Sequence, residues 1–422
     1  MRFFDMLWKA AAPMDWKAAI EMKAHGTSRA DQITRGSPEE DVRAVAQLVS
    51  EEFANGEYIP EIRQKYFLEC HYDWDVSRLI WDGDDLIHHW GVWGYDMRLA
   101  GYTLRAAGVG AVVTREPHRR RGLMTQAALA SFRAMRESGY HLSILRGRHY
   151  ARFGYARAWN YVTYRLKGDE LQPEKKEVAY QKLGPEYMPQ INSLYNQFHQ
   201  EFNGTAVRPT YSMLDAEDMQ AYGWMNAKGF LEGYVRAAGI EDGTELQCLE
   251  AAGDPTLAMS VLIDLVNGGG YDTLSFFTLP YDHPIPRQLR AGSVQVEERY
   301  FDHSGWQVKV INLSGILETI RPELEARLAE SRFVGWQGAL VLDDGSEKVT
   351  LEIDRSHVRI QDTSAEHNLL QVGAAIGRLL IGSDEPTEIL RQTGAECSRE
   401  VAGLTCVLFP CLHPILSQWD EF

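Results

Sequence analysis

The first part of the chain carries short apolar runs that are separated by polar turns. Runs at 77–82, 86–95 and 104–114 are bounded by turn-forming residues, which is typical of β-strands. Between the first two runs, Asp82-Gly83-Asp84-Asp85 has the composition of a hairpin turn. Residues 31–36 predict a further strand. The pattern therefore predicts a sheet that contains at least one hairpin.

Apolar residues recur at helical spacing in two segments, one before and one after these strands in the sequence. Ser37-Pro38-Glu39-Glu40 predicts a helix start, because Ser suits the N-cap, Pro the first position and acids the first turn. The apolar stripe of that helix would be Val42, Val45, Ala46 and Val49. After Gly122 apolar residues again recur at helical spacing, and Gly139 ends the run. HLSILRG then predicts a returning strand, so a strand–helix–strand unit ends near residue 167.

The chain from about 176 to 300 predicts a second α+β segment. Its predicted elements are one helix and three strands, in the order 186–201, 230–236, 246–251 and 257–263. Asn267-Gly268-Gly269-Gly270 is rich in glycine but has no basic residues around it. We therefore expect a loop there and no second phosphate site.

The last segment, from about 305 to 422, changes character. Two β-rich runs, 339–342 and 349–353, flank Asp343-Asp344-Gly345-Ser346 and predict a hairpin. A helix is then predicted from the apolar residues Leu369, Leu370, Ala374, Ile376, Leu379 and Leu380. The alternation of an apolar sheet face with amphipathic helices favours a core-forming scaffold over a catalytic domain.

Length and charge narrow the class of protein. A chain of 422 residues is too long for one core and predicts two or three domains. The net charge of −16 argues against nucleic acid as the main partner and suits a cationic substrate.

The cysteines point to a reducing compartment. The five residues, Cys70, Cys248, Cys397, Cys406 and Cys411, are scattered and odd in number, so we expect free thiols in the cytoplasm. Cys406, Cys411 and His413 are the only group that suggests metal ligation. Because no second pair stands at ligand spacing, we expect ordinary thiols and no metal.

The first thirty residues predict an N-terminal extension. Asp5 and Lys9 interrupt its apolar part, and no small-residue cleavage site follows. The extension suits a short amphipathic helix that forms a surface arm or an oligomer contact, and the alternative is a membrane anchor. Because no apolar run is long enough to span a bilayer, we expect no membrane partner.

The most informative feature is a basic turn between a strand and a helix. Arg119, Arg120 and Arg121 stand directly before Gly122, so guanidinium groups and a helix N-terminus converge there. A pyrophosphate requires this arrangement, and the alternative is a solvated basic patch. We interpret the turn as an acyl-CoA site in which the preceding strand aligns the pantetheine arm and polarises the thioester oxygen. The predicted cofactor-binding residues are Val112, Val113, Thr114, Arg119, Arg120, Arg121, Gly122, Leu123, Met124 and Thr125.

The order strand, HRRRGL, helix, strand and YARFGY resembles the Gcn5-related N-acetyltransferase superfamily. Met124 departs from its usual loop pattern, which has Gly or Ala at that position. The three-part layout resembles the branch of enhanced intracellular survival proteins. This resemblance implies an α+β fold with mixed central sheets flanked by helices. The implied domains are an extension at 1–30, an active acetyltransferase domain at 31–170, a degenerate domain of the same fold at 171–303 and a sterol-carrier-like domain at 304–422.

The resemblance also implies the chemistry. Acetyl-CoA would be the co-substrate, and a primary amine would attack it directly in a ternary complex. The base would be the α-carboxylate of Phe422, whose pKa of roughly 3.3–3.7 burial would raise. A disordered tail is the alternative, although Trp419 and Phe422 favour a docked end. Tyr150, the first residue of YARFGY, would be the general acid, because a phenol with a pKa of about 10 stays protonated at pH 7. A core aromatic is the alternative for Tyr150.

Candidate substrate-binding residues lie beside these groups. Glu421 either holds a cationic substrate or faces solvent, and Trp90 and Trp93 either line an amine pocket or belong to the core. The resemblance implies aminoglycoside-like or polyamine-like substrates, with protein lysine side chains as the second choice. It also implies a homo-oligomer, often a hexamer. Two other function classes stay open: a binding module for CoA and an apolar ligand, and an assembly scaffold.

Overall fold

The structure is a computed structural model that describes residues 32–171, 176–210, 220–240, 243–301, 305–362 and 368–422. The predicted extension at 1–30 lies outside the described residues. The chain divides into two compact units. Unit 1 consists of the described residues up to Tyr95 together with Ala106–Leu145 and Phe422, and unit 2 consists of Asp96–Arg105 and Arg146–Glu421.

Unit 1 is built on strands in the order β1-β2-β3-β4-β5. Their bounds are Gln32–Thr34 (β1), Arg78–Asp82 (β2), Asp85–Leu99 (β3), Tyr102–Thr114 (β4) and Leu142–Arg146 (β5), with helices Val42–Phe53 (α1) and Leu123–Glu137 (α2). β2 and β3 pair antiparallel around the predicted turn, with Asp82 opposite Asp85. The structure thus confirms the hairpin, the helix after Gly122 and the returning strand.

The start of α1 differs from the prediction. Its stripe is buried as expected, but the helix begins at Val42 with Asp41 at the N-cap. The Asp41 carboxylate accepts the Ser37 N–H at 2.8 Å, and the Asp41 N–H donates to the Ser37 carbonyl oxygen at 2.9 Å. Ser37-Pro38-Glu39-Glu40 therefore forms a turn that precedes the helix and is not its first turn.

β4 and β5 run parallel, with α2 as the connection between them. Their pairing extends from Ala106 opposite Leu142 to Val109 opposite Leu145, and among the described residues it ends there. β4 continues to Thr114, and Gly110, Ala111 and Val112 become partly exposed where the pairing stops. The last part of β4 therefore extends past its partner strand.

Unit 2 contains a seven-stranded sheet in the order β13-β7-β12-β11-β10-β9-β8. These strands span Tyr161–Lys167 (β7), Gln181–Lys182 (β8), Ala221–Met225 (β9), Leu231–Gly239 (β10), Glu245–Ala252 (β11), Thr273–Phe277 (β12) and Gln295–Arg299 (β13). Helices Met188–Phe198 (α3), Pro255–Gly269 (α4) and Pro284–Arg290 (α5) accompany them. The core lies between α4 and the sheet, around Val261, Leu262 and Phe276.

α4 corrects two predictions. Residues 257–263 are helical and not a strand, and Asn267 to Gly269 form the last turn of this helix and not a loop. The Asp254 carboxylate caps the helix by accepting the N–H groups of Thr256 and Leu257. β11 and β12 are parallel with α4 between them, which repeats the strand–helix–strand order of β4, α2 and β5.

The C-terminal part of unit 2 has a four-stranded sheet in the order β17-β16-β15-β18. The four strands of this sheet span Gln337–Asp343 (β15), Lys348–Asp354 (β16), His357–Asp362 (β17) and Leu369–Gln371 (β18). Two further strands, Ala156–Arg157 (β6) and Trp306–Val310 (β14), pair antiparallel with each other. The helices are Leu313–Ala329 (α6), Ile376–Ile381 (α7), Pro386–Thr393 (α8) and Arg399–Leu408 (α9). The predicted hairpin at Asp343 is confirmed. Leu369 and Leu370, predicted as helical, instead pair with β15.

Short helical turns complete the chain. They are Ile59–Glu61, the π-helix Ile62–Leu68, and the 3-10 helices Glu116–His118, Ala151–Phe153, Gly168–Leu171, Pro185–Tyr187, Gly373–Ala375 and Gln418–Asp420.

Candidate active site

The last residue of the chain packs against β4 in unit 1. A Cβ placed on Gly108 would lie 2.6–2.8 Å from ring atoms of Phe422, so only glycine leaves room for that ring. The Phe422 side chain is buried, and its ring centroid lies 6.1 Å from that of Tyr95. The carboxyl carbon and oxygen of Phe422 lie 3.5 and 3.7 Å from the Cβ position of Gly110. The terminal carboxylate therefore lies beside β4 at the point where its pairing with β5 has ended.

β4 has an unusual backbone at the same point. Ala111 has a φ of 46° inside the strand, a left-handed conformation that residues other than glycine rarely adopt. Its carbonyl oxygen lies 2.7 Å from Nδ1 of the buried His89. The predicted cofactor residues Val112, Val113 and Thr114 follow immediately. Backbone groups on this edge can pair with an extended ligand in the manner of a strand.

The basic turn is folded as an anion cradle at the start of α2. Gly122 caps the helix in the left-handed conformation, with a φ of 78° and without a side-chain cap. The first N–H groups of an α-helix have no partner within the helix. Leu123 and Met124 supply such groups here, whereas the Thr125 N–H donates to the Gly122 carbonyl oxygen at 3.1 Å, and the helix dipole favours a negative charge at this end.

The three arginines of the turn differ in their contacts. Arg119 donates from Nε to the Thr114 carbonyl oxygen at 3.0 Å and forms an ion pair with Glu52. Arg121 lies 2.6 Å from His118 Nδ1 and 4.0 Å from an Asp82 oxygen. Arg119 and Arg121 therefore contribute to holding the turn in place.

Arg120 has a different position. It is exposed, has a φ of 66°, and forms no ion pair among the residues that the structure describes. It is the arginine of the turn that is best placed to meet a phosphate with its side chain. The residues present fit the pyrophosphate of an acyl-CoA, since they combine open helix amides with an available guanidinium.

The two candidate tryptophans on β3 have different surroundings. Trp90 is fully buried, and its ring packs edge-on against Phe132 of α2 at 5.9 Å. Its burial favours the core alternative, and a role of Trp90 in substrate binding stays a prediction. Trp93 donates from its indole N–H to the Tyr66 carbonyl oxygen at 3.0 Å. Its ring edge lies 3.1 Å from the Cβ position of Gly110, the position that the Phe422 carboxylate also adjoins.

Tyr150 belongs to unit 2. It precedes the 3-10 helix Ala151–Phe153, and its partly buried ring lies over Gly147, 2.9 Å from the Cβ position of that residue. Gly147 has a φ of 143°, which a side chain would not tolerate well. Burial raises the pKa of the Tyr150 phenol to about 12, so the group is protonated at neutral pH. The side chain can therefore donate a proton or a hydrogen bond.

Glu421, also in unit 2, does not face open solvent. Its carboxylate lies 3.8 Å from the Arg146 guanidinium, and its side chain is 16% exposed. Arg146 in turn lies over the ring of Trp306, with Cζ 5.9 Å from the centroid. Arg146 thus partly compensates the charge with which Glu421 would meet a cationic substrate.

The residues before the terminus are held by a buried ionic cluster that sequence reasoning missed. Arg208 donates from Nε and Nη2 to Asp420 at 2.9–3.1 Å and from Nη1 and Nη2 to Glu250 at 2.8 and 2.6 Å. The Ser417 hydroxyl donates to Glu250 at 2.6 Å, and the Thr210 hydroxyl donates to Asp420 at 2.5 Å. The segment from Ser417 to Asp420 is therefore anchored in unit 2.

The contacts within this cluster shift the pKa values of its two carboxyl groups. The Arg208 guanidinium and its hydrogen bonds hold the pKa of the Glu250 carboxyl below its usual range in spite of burial. Burial raises the pKa of Asp420, against the opposing effect of Arg208. The nearby Arg236 guanidinium lies 3.8 Å over the Trp419 ring, which adds a second buried positive charge.

One sequence signal could have located the position on β4 where the Phe422 ring packs. Glycine inside a strand marks close approach by another group, and Gly108 and Gly110 alternate with Val109 in the centre of β4. Arg208, Glu250 and Asp420 are far apart in sequence and carry no local pattern, so no comparable signal exists for them.

The described residues contain no group of three or more His, Cys, Asp or Glu side chains arranged to hold a metal ion. Cys411 and His413 approach each other, with Sγ 3.7 Å from Nδ1. None of the described helices is long and apolar enough to cross a membrane.

Residues 34–158 match the family model for the acetyltransferase (GNAT) domain. This part of the chain is therefore an acetyltransferase domain of the GNAT type, and the protein is an acyltransferase enzyme. The match ends before β7, so it does not extend to the seven-stranded sheet of unit 2. No curated protein matches the sequence.

Solved structures share the fold over nearly the whole chain. A GCN5-related N-acetyltransferase from Anabaena variabilis ATCC 29413 aligns at 15% identity with a TM-score of 0.72, covering 93% of this chain and 100% of its own. A GCN5-related N-acetyltransferase from Kribbella flavida aligns at 17% identity and a TM-score of 0.69, covering 93% and 98%. Eis1 from Mycobacterium abscessus aligns at 17% identity and a TM-score of 0.65, covering 92% and 100%. At these identities the likeness establishes the fold alone.

Proposed function

We propose that the protein transfers the acetyl group of acetyl-CoA to a primary amine of a cationic small molecule, by direct attack within a ternary complex. The observation that carries this proposal is the position of Phe422, a buried residue whose terminal carboxyl carbon and oxygen lie 3.5 and 3.7 Å from the Cβ position of Gly110 on β4. An amine with a pKa near 10.4 is almost entirely protonated at pH 7. It needs a base that removes a proton so that the nitrogen lone pair can attack the thioester carbon.

The carboxylate suits that role because of its surroundings. It lies beside the part of β4 that extends past Val109, where the acyl-CoA thioester would pair with the strand. We assign the base to Phe422 for this reason.

The general acid in this proposal is Tyr150. The departing CoA thiolate has to be protonated, and the raised pKa of Tyr150 keeps its phenol in the donor form. A phenol that is harder to ionise is also a weaker acid. We therefore expect it to donate as the thiolate forms and not to lose its proton beforehand.

Acetyl-CoA would be held by the cradle at α2 and by β4. The amides of Leu123 and Met124 and the side chain of Arg120 would take the pyrophosphate. Backbone groups of Val112 and Thr114 would pair with the pantetheine arm. What the co-substrate supplies is an activated acetyl group, and the chain supplies position, a base and an acid.

The amine would be recognised by charge and by an aromatic surface. The carboxylate of Phe422 and the ring edge of Trp93 adjoin the same position on β4. Glu421 would add a second negative charge, which Arg146 partly compensates. This combination favours a small aminoglycoside-like or polyamine-like cation, and protein lysine is the second choice.

We also propose that the chain is a member of the enhanced intracellular survival branch. The likeness to Eis1 over 92% of this chain supports this, as does the repeated strand–helix–strand order in unit 2. In this proposal 171–303 is a degenerate acetyltransferase-fold domain and 304–422 is sterol-carrier-like. A cytoplasmic homo-oligomer, with a hexamer as the first expectation, follows from the same assignment, and light scattering measures its size.

The decisive experiment is a panel of cationic amines with acetyl-CoA, in which thiol release and acetylated product are both measured. We expect turnover with at least one polyamine or aminoglycoside and none with matched neutral alcohols. Turnover confined to lysine-containing peptides would replace the small-molecule substrate with protein lysine. Binding of CoA without any acetylated product would contradict the transferase assignment of this site.

A further inference from the structure

The buried His89 of β3 has a defined hydrogen-bonding direction. Its Nδ1 lies 2.7 Å from the Ala111 carbonyl oxygen, and its Nε2 lies 2.7 Å from the Tyr72 hydroxyl. A carbonyl oxygen only accepts, so Nδ1 carries the proton and donates to it. Burial lowers the pKa of His89 to about 4, so the ring is neutral and Nε2 accepts from Tyr72. The tautomer is thereby set by the Ala111 carbonyl oxygen, and the Tyr72 hydroxyl holds the ring at its other nitrogen.

The carbonyl that His89 holds belongs to the strained residue of β4. Ala111 has a φ of 46°, and a backbone in this region persists only when its surroundings impose it. Gly91 makes room for this contact, because a Cβ there would lie 2.7 Å from His89 Cε1 and 2.9 Å from the Gly110 carbonyl oxygen. The hydrogen bond from His89 is a specific force that holds Ala111 in this conformation.

The direction of the Ala111 carbonyl also fixes the direction of the Val112 N–H, because both belong to the same peptide group. In a trans peptide the C=O and the following N–H point in opposite directions, so a carbonyl held toward His89 turns the Val112 N–H away from it. The strand pattern agrees with this. Arg115 donates its N–H to Ile87 of β3 at 2.9 Å, and amides alternate sides along a strand. The Val112 amide therefore faces away from β3.

We propose that His89 is a positioning residue, which holds Ala111 so that the Val112 N–H points at the carbonyl oxygen of the bound thioester. This inference rests on the proposed function and adds a residue to it. A donor fixed before the reaction stabilises the negative charge that develops on that oxygen in the transition state. His89 itself does not touch the substrate and acts through the strand.

Three variants separate this role from plain packing. His89→Leu fills the space without a donor, and His89→Asn keeps a donor near the position of Nδ1. Tyr72→Phe keeps the ring packing but removes the hydroxyl that holds the His89 ring in its orientation through Nε2. His283→Leu is the matched control, since His283 is also buried and its Nε2 also bonds a backbone carbonyl oxygen, that of Ala251 at 3.1 Å, but in unit 2.

The measurements are kcat, the acetyl-CoA dissociation constant and the infrared carbonyl band of bound [1-13C]acetyl-CoA. We expect His89→Leu to lower kcat about 100-fold, the loss typical of a removed oxyanion donor. The dissociation constant should change little, and the band should return toward its value in water. His89→Asn should recover a large part of kcat, Tyr72→Phe should show a smaller loss of the same kind, and His283→Leu should leave kcat and the band unchanged.

Two results would overturn the inference. The first is an equal loss of kcat in His89→Leu and His89→Asn with an unshifted carbonyl band, which would mean that His89 only packs. The second is an unchanged kcat and band in Tyr72→Phe, a result that remains decisive if the His89 variants fail to fold. A wild-type protein that does not bind acetyl-CoA would overturn the proposed function together with this inference, so the two failures are distinguishable.

Discussion

Adding one methyl group at Gly108 tests whether the position of the Phe422 ring on β4 controls turnover. In Gly108→Ala the new Cβ would lie 2.6 Å from the nearest ring atom of Phe422. Ordinary carbon–carbon contact needs 3.5–4.0 Å, so the ring must retreat by about 1 Å. The carboxylate is attached to the same residue and moves with it.

The expected magnitude follows from that displacement. A misplacement of about 1 Å at a reacting group costs on the order of 100-fold in rate. Overpacking a strand in this way also costs about 1–3 kcal/mol of unfolding free energy. We therefore expect kcat to fall about 100-fold, while the acetyl-CoA dissociation constant changes little because the cradle at α2 is untouched.

The assay is thiol release at saturating acetyl-CoA, with calorimetric binding and urea unfolding on the same samples. Gly335→Ala is the control, since a Cβ there meets nothing within 4 Å. Wild-type kcat in a folded Gly108→Ala protein would refute the reasoning, because the position of the Phe422 ring would then have no effect on the reaction.

Three further predictions test other parts of the account. Tyr150→Phe should lower kcat at least tenfold and leave acetyl-CoA binding intact, as measured by steady-state kinetics and calorimetry, and unchanged kinetics would remove its role as acid. Arg208→Met should destabilise the protein by about 3–5 kcal/mol in urea unfolding, because two buried carboxylates lose their partner, whereas Asp420→Asn should cost about 1–3 kcal/mol; equal losses would contradict the described cluster. Stability should also fall on acidification, because burial lowers the pKa of four histidines, to about 4 for His89 and His283 and to about 3 for His88 and His199. Their unfolded pKa is about 6.5, so the unfolded state binds protons first and the free energy of unfolding decreases from about pH 6.5 downward; a flat profile between pH 7 and pH 5 in urea titrations would contradict this.

Much of unit 1 could be predicted because its signals are local. The residues from Asp82 to Asp85 have a composition that suits a hairpin turn and no other element. Likewise, the helix after Gly122 and the returning strand each have apolar residues at the spacing of a single type of element. Turn residues and glycine caps act over a few positions, so a single sequence shows them.

The errors fall where one pattern suits two structures. Residues 257–263 are a short apolar run, and such a run does not distinguish a buried strand from a buried helix. Asp254 and Pro255 would have favoured the helix, since they form its cap and first position. Leu369 and Leu370 show the opposite case, a strand that resembles the start of a helix.

The candidate site was predictable only in part, for a physical reason. The basic turn is contiguous, so its residues could be named together, but the sequence does not show that Arg119 and Arg121 are engaged by neighbouring side chains. Trp90 and Trp93 have the same residue type on the same strand and are both buried, and only packing shows that Trp90 contacts Phe132 whereas Trp93 adjoins Gly110. The hydrogen bond between His89 and the Ala111 carbonyl oxygen depends on a positive φ at Ala111, which the residue type does not predict.

The most direct test of the central claim is to convert the α-carboxyl group of Phe422 to a primary amide by semisynthesis. The amide keeps the size and the packing of the terminus but is not a base at neutral pH. We expect kcat to fall at least 100-fold, with an unchanged acetyl-CoA dissociation constant and unchanged stability. An amidated protein that acetylates amines at the wild-type rate would contradict the assignment of the terminal carboxylate as the base.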